Sequence, residues 1–523
     1  MKAAGAVAAG HPATAEAATA ILEAGGNAFD AVIAGQFAAC VAEPVLCSLG
    51  GGGFLLTRKG QGPVEALDFF VQTPLRKRSP EEIEFLPIVA DFGDAQQEFH
   101  IGLGSVATPG MVAGLFAAHR RYASLPMPVL LEPAVRLARE GVAVNALQAY
   151  AFRIVRAIYA HTQESRQVYA SPTRPGSLVV EGDLLRQTRL ADSLERLAAE
   201  GESWFYQGEF ANLVADRCRR DGGLLGLEDL RQYQAEFREP VALGYRGNRI
   251  WINPPPSSGG LLLGFALMLL ESLEPPSGPF GSAGHLERLA RVMALTDRAR
   301  LEVQPDGDAP VDARRLLDPG LLARYLEDVA GLGAAMRGTT HLSVMDAAGN
   351  VAGLTASNGE GCGVLIPDTG IMLNNMLGEQ DLNPRGFFRW HEDQRLTSMM
   401  APTLLARPDG SEVVLGSGGS NRIRTAILQV LVNLLDFGMP LERAVEASRI
   451  HLEGGLLSVE AGFGAEVDLG PLLAEHPNHR IWGERSLFFG GVHAVGLDDT
   501  GFSGAGDVRR GGVVRLAGVP GAR

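Results

Sequence analysis

The chain has 523 residues, 46% of them hydrophobic and 20% charged, with a net charge of −14. That length supplies a large core and by itself suggests two to four domains. The acidic balance, with Arg76-Lys77-Arg78 as its one dense basic patch, argues against a nucleic-acid partner.

No apolar run reaches the roughly 18–20 residues that cross a bilayer. The Ala/Gly/Val-rich N-terminus lacks the strong apolar centre of a secretion signal, so a cytoplasmic protein with no membrane partner is expected. Cys40, Cys47, Cys218 and Cys362 lie far apart without C-x-x-C spacing, which speaks against a metal or redox centre. In chain order, Thr14 is the expected N-cap of a helix running to about Ala24, stopped by Gly25-Gly26. A second helix is expected from Asn27 to about Ala42, before Pro44, its apolar residues lying all round as in a buried helix. Leu49-Gly-Gly-Gly-Gly-Phe54 then leads into a strand at 54–57; with no Lys-Ser/Thr helix behind it, this is no phosphate cradle.

The middle third, from about Val112 to Tyr325, has helical patterns at Glu132–Arg139, Leu190–Ala199, Leu261–Leu273 and His285–Glu302. From Thr339 onward strands are expected at 341–345, 351–357, 371–374, 402–406, 413–416 and 492–497, with one helix at Arg422–Leu435. Helices and strands in separate blocks imply layered packing rather than βαβ alternation.

Thr339 opens the first of these strands, and Asp346-Ala-Ala-Gly-Asn350 is a turn between two alternating runs. A hairpin closed about Ala348 pairs Met345 with Val351 and His341 with Thr355, which sets Thr339 opposite Ser357. Directly opposed Cβ atoms are about 4.5–5.5 Å apart, so the two hydroxyls can hydrogen-bond. A hydroxyl pair on a strand is more often structural than catalytic. What shifts the balance is the small, poorly patterned segment Glu327–Gly338 before it, which suits an exposed stretch. A cut between Gly338 and Thr339 would give Thr339 a free α-amine beside its own hydroxyl. Such an amine has a pKa of about 7.7–8.0 and can act as general base near neutrality. Ser357 would then polarise or orient the Thr339 hydroxyl. The glycine loop Leu415-Gly-Ser-Gly-Gly-Ser-Asn-Arg422, between a strand and a helix, would supply oxyanion donors around Gly419 and Ser420.

These residues resemble the γ-glutamyltransferase family of N-terminal-nucleophile hydrolases. The resemblance is carried by Gly25-Gly-Asn-Ala-Phe-Asp-Ala31, Leu49–Phe54, Ala107-Thr-Pro-Gly110, Pro255-Pro-Ser-Ser-Gly-Gly260 and Thr339-Thr-His341. Leu373-Asn-Asn375, Arg395-Leu-Thr-Ser398, Gly416-Ser-Gly-Gly419 and Gly504-Ala-Gly-Asp507 continue it in the same order. It implies an α+β fold, a four-layer αββα sandwich, built by a large piece 1–338 and a small piece 339–523 of one self-cleaved precursor. It also implies no metal or organic cofactor, a small γ-glutamyl or related amide as substrate, and room for a homodimer of the two-piece protein.

By motif, Thr339 is implied as nucleophile, Ser357 as its assisting hydroxyl, and Gly419 with Ser420 as the oxyanion pair. Thr397 and Ser398 would hold a substrate carboxylate, and Glu379, with Asn375 before it, would meet the α-amine. Against the family pattern Asn-Asn-Gln-Met-Asp-Asp this chain has Asn374-Asn-Met-Leu-Gly-Glu379, and Gly359 replaces an asparagine near the nucleophile. The carboxylate-binding arginine expected after Ala66-Leu-Asp-Phe69 is Arg76 or Arg78. A shorter chain between Glu379 and Arg395 implies a more open site, which favours water over an amine acceptor. The departures also leave room for an acylase acting on a glutaryl or oxamate amide. A non-catalytic protein that kept the fold would instead remain an intact precursor.

Overall fold

The computed structural model describes residues 3–91, 96–275, 278–303, 316–318, 321, 338–383, 386–464 and 467–518. Two antiparallel sheets lie face to face. The first runs in the order 513–517, 5–9, 340–346, 351–357, 52–58, 64–69 and 236–238. The second runs 501–506, 491–498, 412–418, 403–406, 248–252 and 241–245.

Helices Pro12–Glu23 and Ala28–Ala42 cover the first sheet, Ser258–Glu271 and Arg422–Leu435 cover the second, and Ala283–Val303 packs outside Ser258–Glu271 and against strand Ile450–Glu453 of a small separate sheet. This is the αββα sandwich the family resemblance implies. The space between the sheets is filled by Ala6, Ala8, Leu56, Ala66, Met345, Val351, Leu404, Val414 and Val495. Small residues on the first sheet let the layers approach to the roughly 10 Å of stacked sheets.

Strand Thr340–Asp346 shows how alternation sorts the layers. Leu342 and Val344 point into the helix-side core, while Met345 points between the sheets. His341 and Ser343 also face the second sheet, where the Ser343 hydroxyl reaches the carbonyls of Val414 and His493 at 3.2 Å each. The hairpin register is the expected one, with Met345 opposite Val351, His341 opposite Thr355 and Thr340 opposite Ala356. Helix Arg422–Leu435 falls on its expected bounds. Helix Ala28–Ala42 is buried along its whole length and starts with a capping box between Asn27 and Asp30.

The structure differs from these expectations in five places. The first helix is Pro12–Glu23, capped by the His11 ring accepting from the Ala13 N–H, and not by Thr14. Thr14 instead donates to the buried carboxylate of Glu43 at 2.8 Å. The N-terminal run becomes the inner strand Gly5–Ala9, paired with 340–346 and 513–517. The helical middle third also contains the strand pair Val241–Tyr245 and Asn248–Ile252. Residues 371–374 form only isolated bridges, Met372 with Leu365 and Leu373 with Gly50. There the Asn374 side chain ties the chain to the carbonyls of Gly50 and Ala107 at 2.8 Å each, a substitute for a ladder. Of the segment expected to be exposed, residues 327–337 lie outside the described residues, and Gly338 itself is buried. Among the described residues no helix is long and apolar enough to cross a membrane.

Candidate active site

The Gly338 carbonyl oxygen is the focus of the site. It accepts the Thr339 hydroxyl at 2.7 Å and the Ser357 hydroxyl at 2.8 Å. The two hydroxyls therefore converge on one acceptor and do not bond to each other as the register alone suggested. Ser357 Oγ in turn accepts the Gly359 N–H at 2.9 Å, which aims its proton at the carbonyl. A hydroxyl that donates to its preceding carbonyl lies against the group it would attack. The N–H of Gly338 donates to Glu360 Oε1 at 2.7 Å, so both polar ends of this residue are held.

The neighbours of Thr339 explain the rest of the Thr-Thr-His run. Thr340 faces the helix layer and donates to Glu43 Oε2 at 2.7 Å, beside Thr14 on the other oxygen. Burial pushes the Glu43 carboxyl up, with the two threonine hydroxyls opposing. His341 faces the second sheet, its Nδ1 2.7 Å from Thr355 Oγ1 and its Nε2 2.9 Å from Ser343 Oγ. Burial, with His493 nearby, pushes its pKa well down, so it is a neutral hydrogen-bonding spacer. Its ring lies on Gly416, where any Cβ would overlap it. Both residues fasten the strand that carries Thr339; neither touches the Gly338 carbonyl.

Strand Glu412–Gly418 ends against Thr339, since a Cβ on Gly418 would overlap the Thr339 carbonyl oxygen. Gly419 follows with φ +123° and Ser420 with φ +53°, before Asn421 caps helix Arg422–Leu435. A non-glycine residue in the left-handed region is uncommon and concentrates at functional turns. Ser420 lines the same pocket as Gly338, Thr339 and Ser357. The Arg510 guanidinium lies 3.5 Å from the Thr339 carbonyl oxygen. Burial lowers its pKa to about 10 against the pull of Glu360 and Asp507, so it remains a cation at neutral pH.

Thr397, Ser398 and Glu379 line this pocket too. Ser398 Oγ accepts the Met400 N–H at 3.1 Å, and Thr397 Oγ1 lies 3.1 Å from Ser258 Oγ. Ser258, at the start of helix Ser258–Glu271, is a third hydroxyl of the wall that sequence reading passed over within Pro255–Gly260. Arg300, on helix Ala283–Val303, also lines the pocket and went unnoticed in the sequence. Asn375 stands behind the wall, fully buried, its Oδ1 accepting the Glu360 N–H at 2.8 Å. Arg78 lies elsewhere: it donates to the Gly223 carbonyl at 2.8 Å and is not among the residues lining the pocket. Arg76 does not line it either, and the residue directly after Phe69 that does is Phe70. Arg395 holds that stretch by donating to the Phe70 carbonyl at 2.5 Å and to the Tyr233 hydroxyl.

The two departures near Thr339 are one feature. Gly359 has φ +67°, and a Cβ there would overlap both Glu379 Oε1 and Asn375 Oδ1. The longer Glu379 side chain reaches the space that a side chain at 359 would need. Met376 adds an apolar surface to the same wall.

The gamma-glutamyltranspeptidase family model matches residues 14–517. The glutathione hydrolase proenzyme of Escherichia coli K12 is 31% identical over 478 residues, 85% of this chain and 81% of that protein. The acylase ACY 1 proenzyme of Pseudomonas sp. strain SE83 is 34% identical over 475 residues, 87% of this chain and 84% of that protein. The crystal structure of cephalosporin acylase from Bacillus halodurans superposes with a TM-score of 0.83 at 26% identity, covering 98% of this chain and 96% of that one. With the match covering every strand of the two sheets but Gly5–Ala9, and the whole pocket, the chain belongs to the gamma-glutamyltranspeptidase family of N-terminal-nucleophile hydrolases.

Proposed function

We propose that this chain is a self-cleaving threonine amide hydrolase. The Thr339 hydroxyl attacks the Gly338 carbonyl carbon, its proton passes to the Thr339 nitrogen, and the peptide C–N bond breaks to leave an ester. Water then hydrolyses the ester, giving a Gly338 carboxylate and a Thr339 with free amine and hydroxyl. The freed amine serves as general base for the same hydroxyl when it attacks a substrate amide, and the acyl-enzyme is released to water. Gly419 and Ser420, at the start of helix Arg422–Leu435, are the oxyanion donors of this reading. The observation that carries it is the convergence of the Thr339 and Ser357 hydroxyls on the Gly338 carbonyl oxygen.

The substrate of this reading is a γ-glutamyl amide, with the Thr397 and Ser398 hydroxyls on its carboxylate and Glu379 on its amine. A second reading, an acylase acting on a glutaryl or oxamate amide, is favoured by the wall itself. Glu379 is packed over Gly359, Met376 offers no hydrogen-bond donor, and Phe70 presents an apolar face. Thr339→Ala is expected to stay one chain on a denaturing gel and to be inactive; if it still splits in two at this bond, the mechanism is wrong. Rates of the wild type on γ-glutamyl-, glutaryl- and oxamate-p-nitroanilides separate the two substrate readings. The first requires that loss of the α-amine, the one difference between the first two amides, lowers kcat/KM.

A further inference from the structure

We propose that Glu360 is the positioning residue for self-cleavage: its carboxylate grips the N–H of Gly338 and holds the scissile carbonyl under the two hydroxyls. The inference rests on the self-cleavage reading above and adds to it the group that orients the bond to be cut. Glycine is the residue type with the most backbone freedom, so a glycine before the scissile bond must be held if its carbonyl is to stay in place. Here it is held at both ends. Glu360 Oε1 takes the N–H at 2.7 Å, while Thr339 and Ser357 donate to the C=O at 2.7 and 2.8 Å.

The grip is itself rigidly built. Glu360 is 3% exposed, its own N–H is fixed by Asn375 Oδ1 at 2.8 Å, and Asn358 and Glu360 form a bridge across Gly359. Gly359 N–H orients Ser357, so one tight turn, 357–360, presents both the hydroxyl that meets the carbonyl oxygen and the carboxylate that meets the amide. Arg510 lines one pocket with Gly338 and Glu360, and its guanidinium lies 3.5 Å from the Thr339 carbonyl oxygen, so the turn is backed by a cation. Holding the reacting groups in a near-attack arrangement is worth orders of magnitude in an intramolecular step. Glu360 holds Gly338, the residue on the acyl side of the bond, so this hold acts on the precursor.

The test follows self-cleavage of full-length precursors made by a short cell-free synthesis and chased over time, read as single chain against two fragments on a denaturing gel. Glu360→Ala is expected to slow cleavage at least tenfold. Glu360→Gln keeps an acceptor oxygen at the same reach and is expected to restore most of the rate. Glu360→Asp keeps the charge but falls one methylene short and is expected to stay slow. A merely structural role would not give rescue by Gln and failure by Asp. Thermal midpoints taken in the Thr339→Ala background show whether Glu360→Ala folds; if it does not, the Gln and Asp variants decide alone. Cleavage of Glu360→Ala at the wild-type rate, or Gln and Asp variants slowed alike, would overturn the inference. A wild-type chain that never splits would instead overturn the self-cleavage reading itself.

Discussion

Placing a methyl group at position 359 tests how closely the pocket wall is built. Gly359→Ala forces an L-residue into φ +67° and drives its Cβ into Glu379 Oε1 and Asn375 Oδ1. The backbone conformation costs about 1 kcal/mol for a residue with a Cβ. Overpacking adds about 1–3 kcal/mol, because Asn375 cannot swing aside without releasing the Glu360 N–H it holds at 2.8 Å. The total is about 2–4 kcal/mol. With an unfolding entropy of about 2.1 cal/mol/K per residue, 523 residues give about 1.1 kcal/mol/K, so the midpoint should fall by about 2–4 °C.

The Glu379 part of the clash is removable. Glu379→Asp draws the carboxylate back by one methylene and should return about 1–2 °C when combined with Gly359→Ala, while the backbone strain remains. Thermal melts of the two single variants and the double, all in the Thr339→Ala background so that one covalent chain unfolds, form the cycle. Strictly additive effects, or a Gly359→Ala midpoint equal to that of the parent, would refute the idea that the two positions share one space.

Ser357→Ala removes a hydroxyl that donates to the Gly338 carbonyl at 2.8 Å. Losing such a donor costs about 2.7–4 kcal/mol of barrier, so self-cleavage should slow by about 10²–10³ on a gel time course, and Ser357→Thr should keep most of it. A second test concerns acid stability. Burial alone would raise the Asp507 carboxyl, but Arg449 at 2.7 Å and Arg509 at 3.1 Å outweigh it and hold the pKa down at about 2. A carboxylate depressed below its unfolded value of about 3.9 contributes stability that is complete above that pH and is lost as pH falls toward 2. Midpoints measured from pH 5 to 2 should show that loss, and Asp507→Asn should flatten it. The same variant should be about 3–5 kcal/mol less stable at neutral pH, because two buried arginines lose their shared anion.

The hairpin and its hydroxyl pair were legible in the sequence because turn chemistry and strand alternation are local. The register then follows by counting from Ala348, and it sets Ser357 opposite Thr339. What the neighbouring Thr340 and His341 do was not legible. Their partners, Glu43, Thr355 and Gly416, are a buried carboxylate on a distant helix end, a cross-strand hydroxyl and a glycine on the facing sheet. Strand Gly5–Ala9 was missed for a related reason: an alanine-rich strand sandwiched between two others and buried on both faces carries no alternation and a single β-branched residue, Val7. Glu360 gave no signal because a lone acid in a glycine turn reads as solvated. Arg78 drew attention by sequence distance from Phe69, yet distance along a loop says little about which way its long side chain goes.

The strand order decides what a cut at residue 338 can and cannot release. In the first sheet, 5–9 sits between 513–517 and 340–346, and 351–357 is flanked by 52–58. In the second, 403–406 carries 248–252 on its edge. Severing the chain therefore yields two polypeptides woven through each other like the fingers of clasped hands, and pulling them apart means tearing backbone ladders in both sheets. Neither polypeptide would own a complete sheet, so each would supply the strands that fill the gaps in the other.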